Sequence, residues 1–198
     1  MTSLPLDHQG ARIAFDLVVG VFLLSEVRVR LRSDRNREGS RLDRMSMRVV
    51  QATALGGVAG AVLLTRRAPG AAVPGDARWA VFVVGLVLMC AGIAIRQWAV
   101  STLGRFFTTD VRVQSGQTVV DRGPYRWVQH PSYTGLILTF LGLGLALGNW
   151  AALAVIAVVP TLGLVYRIRV EEDALLDGLG EPYRRFAASR ARLFPGVW

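Results

Sequence analysis

The chain alternates between long apolar stretches and shorter polar segments rich in arginine. Five apolar stretches approach the roughly 20 residues that an α-helix needs to cross the hydrocarbon core of a bilayer. The third is the most apolar, and Arg96 near its end is expected to snorkel towards the membrane surface. We therefore predict an all-α integral membrane protein with about five transmembrane helices, at Ala11–Val27, Arg48–Leu64, Trp79–Val100, Tyr133–Leu147 and Trp150–Tyr166.

Turn-forming residues mark the ends of the last helices. Gly148-Asn149 separates the fourth and fifth stretches and predicts a tight turn within a helical hairpin. Apolar residues continue at helical spacing from 167 to 179, so the fifth helix should extend beyond the membrane. Gly180 is then a suitable helix stop, and Pro182 suits the first turn of another helix.

Composition supports a membrane location. Hydrophobic residues make up 52% of the 198 residues, and the mean hydropathy of +0.39 exceeds what is usual for a soluble domain. All 23 basic residues are arginine, and the net charge is +9. Because the arginines lie between apolar stretches, the charge favours a membrane protein over a nucleic-acid-binding surface. The single cysteine excludes an internal disulfide, and we expect no metal site.

Arginine placement predicts the orientation in the membrane. Segment 101–132 contains four arginines, the tail after the fifth stretch contains six, and the hairpin tip contains none. Basic loops remain in the cytoplasm, so the N-terminus should face outwards, with segment 101–132 and the tail both on the cytoplasmic side. A loop is predicted after the first stretch, and it carries seven arginines, at Arg28, Arg30, Arg32, Arg35, Arg37, Arg41 and Arg44.

Residues 123–135, "GPYRWVQHPSYTG", form the most polar and ring-rich segment between two apolar stretches. Pro131 disfavours helical geometry at His130, and Ser132 is predicted to be the N-cap of the fourth helix. His130 and Tyr133 should then lie at a helix entrance, beside backbone N–H groups that can receive a negatively charged group.

An acidic triplet, Glu171 to Asp173, lies where the fifth helix is expected to leave the membrane. Arg167 and Glu171 are four residues apart and share a helix face, as do Arg169 and Asp173. A solvated helix face with salt bridges explains this spacing. Spacing alone favours this interpretation, and a site for a cationic ligand is the alternative.

The order of these motifs resembles the C-terminal half of the isoprenylcysteine carboxyl methyltransferase family and its phospholipid-methyltransferase relatives. "GPYRWVQHPSYTG", an apolar hairpin and "RVEEDALLDGLGEPYRRF" follow one another over residues 101–195. The resemblance implies an integral membrane enzyme that uses S-adenosyl-L-methionine. It also divides the chain into residues 1–100, with three N-terminal membrane helices, and residues 101–198, the cofactor-binding half.

The resemblance implies roles for particular residues. Arg167 matches an arginine placed towards the substrate and is the candidate catalytic residue. Gln117 and Gln129 depart from the family pattern, which has histidine and arginine there. The residues that match cofactor-binding positions are Thr118, Val119, Val120, Tyr125, His130, Pro131, Ser132, Tyr133 and Glu171.

The chemistry expected of these residues depends on the acceptor. A carboxylate is already ionised at pH 7 and needs no general base, and Arg167 could hold it by charge-assisted hydrogen bonds. A protonated amine would need a base, for which His130 and Glu172 are the candidates. The leading hypothesis is O-methylation of the carboxylate of a lipophilic, prenylcysteine-like acceptor.

Three other functions remain open at this point. They are an amine-lipid N-methyltransferase, an NADPH-dependent enzyme like the sterol reductases, and a membrane scaffold without turnover. The expected partners are membrane lipid and a lipophilic small molecule or prenylated acceptor, without nucleic acid or metal. The arginine-only basic composition indicates a bacterium, so we expect a multi-pass protein of the plasma membrane with its active site facing the cytoplasm.

Overall fold

The computed structural model describes residues 5–35, 43, 45–196 and 198. Within these ranges the regular structure is helical, and β-pairing is limited to two isolated bridges. The prediction of an all-α protein is confirmed. The α-helices are α1 (Gln9–Arg35), α2 (Ser46–Arg67), α3 (Arg78–Leu103), α4 (Pro131–Ala146), α5 (Trp150–Leu179) and α6 (Glu181–Ala188).

Three helical segments are long and apolar enough to cross a membrane: α2, Gly75–Phe106, which contains α3, and α5. Helix α4 is apolar but only 16 residues long. The chain is therefore an integral membrane protein with three candidate spans among the described residues. The total of five spans, the division at residue 100 and the orientation of the helices stay predictions.

Helix α1 is longer than the predicted Ala11–Val27. It continues through Arg28, Arg30, Arg32 and Arg35, so these four arginines are helical and the prediction that they belong to a loop is wrong. The extra turns bury Val29 against Val100 and Phe107, and this contact stabilises helix where the pattern of polar residues had indicated a loop. Three further arginines in the predicted loop lie outside the described residues, at Arg37, Arg41 and Arg44.

Helices α3 and α4 pack through glycines that bring their backbones into contact. A Cβ atom at Gly92 would lie 2.5 Å from the carbonyl oxygen of Gly135, and one at Gly142 would lie 2.5 Å from that of Gly85. Real Cβ atoms do not approach other atoms so closely. We call these four residues the glycine seam, and it fixes how the first half of the chain meets the second.

Helices α2 and α5 form the second large contact. Gly57 leaves room for the ring of Pro160, whose Cδ would lie 2.9 Å from a Cβ added at Gly57. Ile156, Leu164 and Ile168 of α5 are buried in the same core. Helix α5 runs continuously through Pro160, and one helix therefore connects this apolar core to the acidic triplet.

The predicted turns at both ends of α5 are confirmed. Gly148 has a φ of 65°, and the side chain of Asn149 accepts a hydrogen bond from the backbone N–H of Ala152 at 3.0 Å. At the other end Gly180 has a φ of 63° and α6 begins immediately with Glu181. These glycines adopt the left-handed conformation that other residues avoid.

Candidate active site

A cavity with about 1000 Å³ of empty space, part of it open to solvent, lies where α3, α4, α5 and α6 converge on the segment between α3 and α4. Its apolar lining includes Leu103, Phe106, Leu175 and Leu179. Its polar lining comes from all four helices and the connecting segment, with Arg96, Gln117, Tyr125, Gln129, His130, Tyr133, Glu171 and Tyr183.

The cavity brings together predicted cofactor-binding residues that are up to 53 positions apart in the sequence, from Thr118 to Glu171. Pro131, at the first position of α4, does not line it, and neither does Arg167. The binding roles assigned to the predicted site residues stay predictions, because lining the cavity does not test them. The predicted cofactor-binding residues that do line the cavity are Thr118, Val119, Val120, Tyr125, His130, Ser132, Tyr133 and Glu171.

Tyr133 connects the acidic and basic groups of α5. Its hydroxyl donates to Oε2 of Glu171 at 2.5 Å and accepts from Nε of Arg167 at 3.3 Å. The two charged side chains, one helical turn apart, therefore act on the same phenol. The spacing that suggested a direct salt bridge instead gives a bridge through Tyr133.

Arg167 lies behind the cavity wall and is 1% exposed. Its guanidinium donates to Oγ of Ser46 at 2.5 Å and to the backbone oxygen of Thr109 at 2.7 Å, and Oδ2 of Asp43 lies 3.5 Å from its Nη1. These partners come from α2 and from the segments before α2 and after α3. Arg167 thus holds several elements together directly behind Tyr133.

The prediction that Ser132 is the N-cap of α4 is wrong. His130 occupies the cap position, without a side-chain capping bond, and Pro131 is the first helical residue. The hydroxyl of Ser132 instead accepts a hydrogen bond from Nη1 of Arg96 at 2.7 Å. Since Pro131 has no N–H and begins α4, the helix starts two residues earlier than a cap at Ser132 would require.

The prediction that Arg96 snorkels to the membrane surface is also wrong. Its guanidinium is buried and forms two hydrogen bonds with Glu26 of α1, of 2.5 Å and 2.8 Å. Since Arg96 also lines the cavity, the cavity wall contains a cation as well as the acid Glu171. Sequence reasoning missed this role, although an arginine and a glutamate within two apolar helices were a signal for such a pair.

His130 contacts the second acid of the triplet. Its Nε2 lies 3.2 Å from Oε1 of Glu172, and Nε of Arg192 donates to both oxygens of Glu172, at 2.8 Å and 3.0 Å. The ring of His130 stacks on that of Tyr133 with centroids 5.7 Å apart. Adjacent glutamates thus have different environments, since Glu171 lines the cavity and Glu172 does not.

Two tyrosines outside the membrane helices remain neutral donors at physiological pH. Burial raises the pKa of Tyr125, and the nearby charge of Glu171 raises it further. Burial likewise raises the pKa of Tyr183, with the charges of Glu171 and Glu172 adding to the effect. The cavity therefore has an anionic acceptor at Glu171 and phenolic O–H groups close to it.

The part of the chain that contains most of the cavity residues is similar to known proteins. The model of the isoprenylcysteine carboxyl methyltransferase (ICMT) family matches residues 83–177. Protein-S-isoprenylcysteine O-methyltransferase A of Arabidopsis thaliana is 33% identical over 121 residues, which cover 60% of this chain and 61% of that protein. An uncharacterized protein of Bacillus subtilis is 32% identical over 83 residues, which cover 42% of this chain and 49% of that protein.

The fold has a counterpart among solved structures. The eukaryotic intramembrane Ras methyltransferase ICMT superposes with a TM-score of 0.61 at 23% identity, over 74% of this chain and 52% of that one. The chain thus spans between about half and three fifths of the length of these relatives. The matched residues contain the glycine seam, the cavity's polar residues on α3, α4 and α5, and the hairpin between them. Over residues 83–177 the chain is similar to the isoprenylcysteine carboxyl methyltransferase family.

Proposed function

We propose that the protein is a membrane-embedded methyltransferase that uses S-adenosyl-L-methionine to O-methylate the carboxylate of a lipophilic, prenylcysteine-like acceptor. The observation that carries the proposal is the cavity, which places the acid Glu171, the cation Arg96 and several buried aromatic rings around one space. The match to the family model over residues 83–177 and relatives named as isoprenylcysteine O-methyltransferases support the same reaction.

The residues around the cavity suit this donor. S-adenosyl-L-methionine carries a sulfonium, an ammonium and a carboxylate together with an adenine ring. Glu171 provides a negative partner for the cationic groups, and Arg96 a positive partner for the carboxylate. Tyr125, Tyr183 and Phe186 provide aromatic surfaces for a flat base or a cation.

The bound donor would supply a methyl group already activated by the positive sulfur. The protein's task is then to align the acceptor with it and to exclude water, because a carboxylate needs no base at pH 7. We keep Arg167 as the residue directed towards the acceptor. It lies behind Thr109 and Tyr133, both of which line the cavity. From there the positive charge of Arg167 would attract an anion that enters the cavity.

The proposal includes the location of the site. Segment 101–132 and the C-terminal tail carry ten arginines and meet at the cavity, and the positive-inside rule then directs the cavity to the cytoplasm. A basic composition without lysine and a relative in Bacillus subtilis support a bacterial plasma membrane. A lipophilic acceptor would reach this site from the bilayer, and the donor from the aqueous side.

The decisive experiment combines donor binding with labelled-methyl transfer. Purified protein in lipid nanodiscs is titrated calorimetrically with S-adenosyl-L-methionine, then incubated with labelled donor and a model prenylcysteine. A methyl ester releases its label as methanol in alkali, whereas an N-methyl product does not. Donor binding with alkali-labile label supports the proposal. Alkali-stable label would replace the acceptor with an amine, and absence of donor binding would overturn the proposal.

A matched pair of variants on α5 tests the assignment of the site. Glu171→Gln removes the acid of the cavity, whereas Asp173→Asn removes an exposed acid two residues away. We expect donor affinity to fall about tenfold or more in Glu171→Gln, since a charged hydrogen-bonding partner contributes about 1.5–3 kcal/mol. Asp173→Asn should bind within twofold of the wild type. Equal binding by both variants would remove Glu171 from the site.

A further inference from the structure

The segment that follows α6 lies against the start of α4. The backbone N–H groups of Gln129 and His130 donate to the carbonyl oxygens of Ala191 and Arg192, each at 2.9 Å. The side chain of Thr134 donates to the carbonyl oxygen of Leu193 at 2.7 Å. Three successive carbonyls therefore hold the backbone around His130, and we call residues 191–193 the C-terminal strap. The family match ends at residue 177, before this segment.

The strap also reaches His130 through side chains. Nε of Arg192 donates to both oxygens of Glu172, at 2.8 Å and 3.0 Å, and Oε1 of Glu172 lies 3.2 Å from Nε2 of His130. Exposure decreases along this path, from 39% for the side chain of Arg192 to 12% for Glu172 and 4% for His130. A partly exposed arginine of the tail is thus connected to a buried ring of the cavity wall.

This path determines which nitrogen of His130 carries the proton. A carboxylate only accepts hydrogen bonds, so a neutral His130 facing Glu172 has its proton on Nε2. Its Nδ1 is then an acceptor. Arg192 neutralises the charge of Glu172 and holds both of its oxygens, which limits the rotation of the carboxylate and therefore of the ring that contacts it.

We propose that Arg192 is a positioning residue of the donor-binding site, which acts through Glu172 to fix the orientation and tautomer of His130. Arg192 does not line the central cavity, so it is not expected to contact the donor. This inference rests on the proposed function, because His130 is taken to face the donor. It extends the site to the C-terminal strap, beyond the residues that the family match covers.

A double-mutant cycle on donor affinity tests the connection. We expect Arg192→Gln to weaken binding of S-adenosyl-L-methionine about tenfold, as is typical when the partner that orients a ligand-binding side chain is removed. Glu172→Gln should cause a similar loss, and the double variant should be no weaker than either single variant, because both break one path. Arg192→Lys should recover most of the affinity, since an ammonium still pairs with Glu172.

The matched control is Arg184→Gln. Arg184 lies on the exposed face of α6, where it pairs only with exposed Glu181 at 3.4 Å among the described residues. Its loss changes the net charge as Arg192→Gln does, and donor affinity should stay within twofold of the wild type.

A second measurement needs no donor. The chain has two histidines, and His8 lies far from the strap in sequence, with its ring near Trp79. The ring ¹⁵N chemical shifts of the unliganded protein report the tautomer of each. Arg192→Gln and Glu172→Gln should both change the shifts of His130 and leave those of His8 unchanged, whereas Arg184→Gln should change neither.

The outcomes separate the two proposals. A wild type that binds the donor, together with an Arg192→Gln variant that binds equally well, would overturn the positioning role and leave the proposed function standing. Additive losses in the cycle would also overturn it, because Arg192 would then act independently of Glu172. A wild type that does not bind overturns the proposed function, and unchanged His130 shifts in Arg192→Gln overturn the positioning role separately. If Arg192→Gln does not fold, Glu172→Gln and Arg192→Lys provide the same comparison.

Discussion

Helices α3 and α4 contact each other in two different ways along a single interface. At the glycine seam their backbones touch, because the glycines have no side chains. One turn beyond Gly92, the long side chain of Arg96 reaches across to Ser132 and at the same time to Glu26 of a third helix. The first contact requires the absence of side chains. The second contact requires three specific side chains, those of Arg96, Ser132 and Glu26. Only the second contact gives a charged group to the cavity.

The difference shows what each end of the interface contributes. Backbone contact brings many atoms close together and has no polar groups to satisfy, so it stabilises the fold where the helices are apolar. A buried guanidinium has to be paired, and it depends on α1 for its carboxylate. The seam therefore determines the distance between α3 and α4, and Arg96 ties α1 to the entrance of α4 where the donor is proposed to bind.

The largest expected effect comes from breaking the seam. Gly135→Leu would force a Cβ to within 2.6 Å of the carbonyl oxygen of Gly92 and 2.8 Å of the backbone nitrogen of Arg96. Because backbone atoms cannot move aside cheaply, we expect a loss of about 3 kcal/mol or more. Thermal unfolding in detergent should show a protein that is unfolded or strongly destabilised. A melting temperature near that of the wild type would contradict the close contact.

The next largest loss of stability is expected from removing Arg96, at the polar end of the interface between α3 and α4. Arg96→Met leaves Glu26 without its partner, at a cost of about 2 kcal/mol, which is below the usual range for a buried pair because Glu26 is about one third exposed. Replacing both residues, in Arg96→Met with Glu26→Leu, should recover most of this stability. Donor affinity should remain low in both variants because the cavity has lost its cation. Recovery of stability without recovery of binding separates the two roles of Arg96.

A smaller, pH-dependent effect is expected where α2 begins. Burial raises the pKa of Asp43, but hydrogen bonds from Ser46 and the backbone of Met45, together with the charge of Arg167, bring it below its ordinary value. The carboxylate therefore stabilises the fold above its unfolded pKa of about 4, and this contribution is lost as the pH falls through the lower folded pKa.

The corresponding variant is Asp43→Asn. It should cost about 1 kcal/mol at pH 7, the usual contribution of a side chain that accepts from the first amides of a helix. Unfolding of both proteins between pH 3 and pH 8 should show a difference that is full at pH 6–8 and shrinks below about pH 4. A difference independent of pH would mean that the ionised form of Asp43 has no special role.

The smallest effect concerns a glycine outside the seam. A Cβ at Gly56 of α2 meets nothing within 4 Å. Gly56→Ala should therefore raise stability slightly, by about 0.5–1 kcal/mol, because alanine loses less backbone entropy in a helix. This variant is the control for the seam, since it adds a side chain to a glycine of another apolar helix where nothing lies within 4 Å.

Local signals in the sequence predicted the local structure well. Gly148-Asn149 and Gly180 mark turns that depend on backbone conformation at one or two residues, and both turns are present. The same holds for the continuation of α5 to Leu179. Eight of the ten residues that the family resemblance indicated, all except Pro131 and Arg167, also line one cavity, since a helical hairpin returns the chain to where it started.

The long-range pairs could not be predicted. Arg96 and Glu26 are 70 residues apart, and Arg167 and Ser46 are 121 apart. Each arginine has several acceptors within reach, and only the packing of the helices decides which it meets. The spacing of Arg167 and Glu171 correctly indicated one helix face, but Tyr133 from another helix inserts between them, and periodicity within one helix contains no information about that.

Helix α5 has a consequence for the height of the cavity above the bilayer. At 1.5 Å per residue, Glu171 lies about 31 Å along the axis from Trp150, close to the thickness of a hydrocarbon core. Trp150 is half exposed, as is typical of tryptophans at the membrane surface. With Trp150 at one membrane surface, Glu171 would lie at the level of the lipid headgroups on the other side, where the proposed water-soluble donor and lipophilic acceptor would meet.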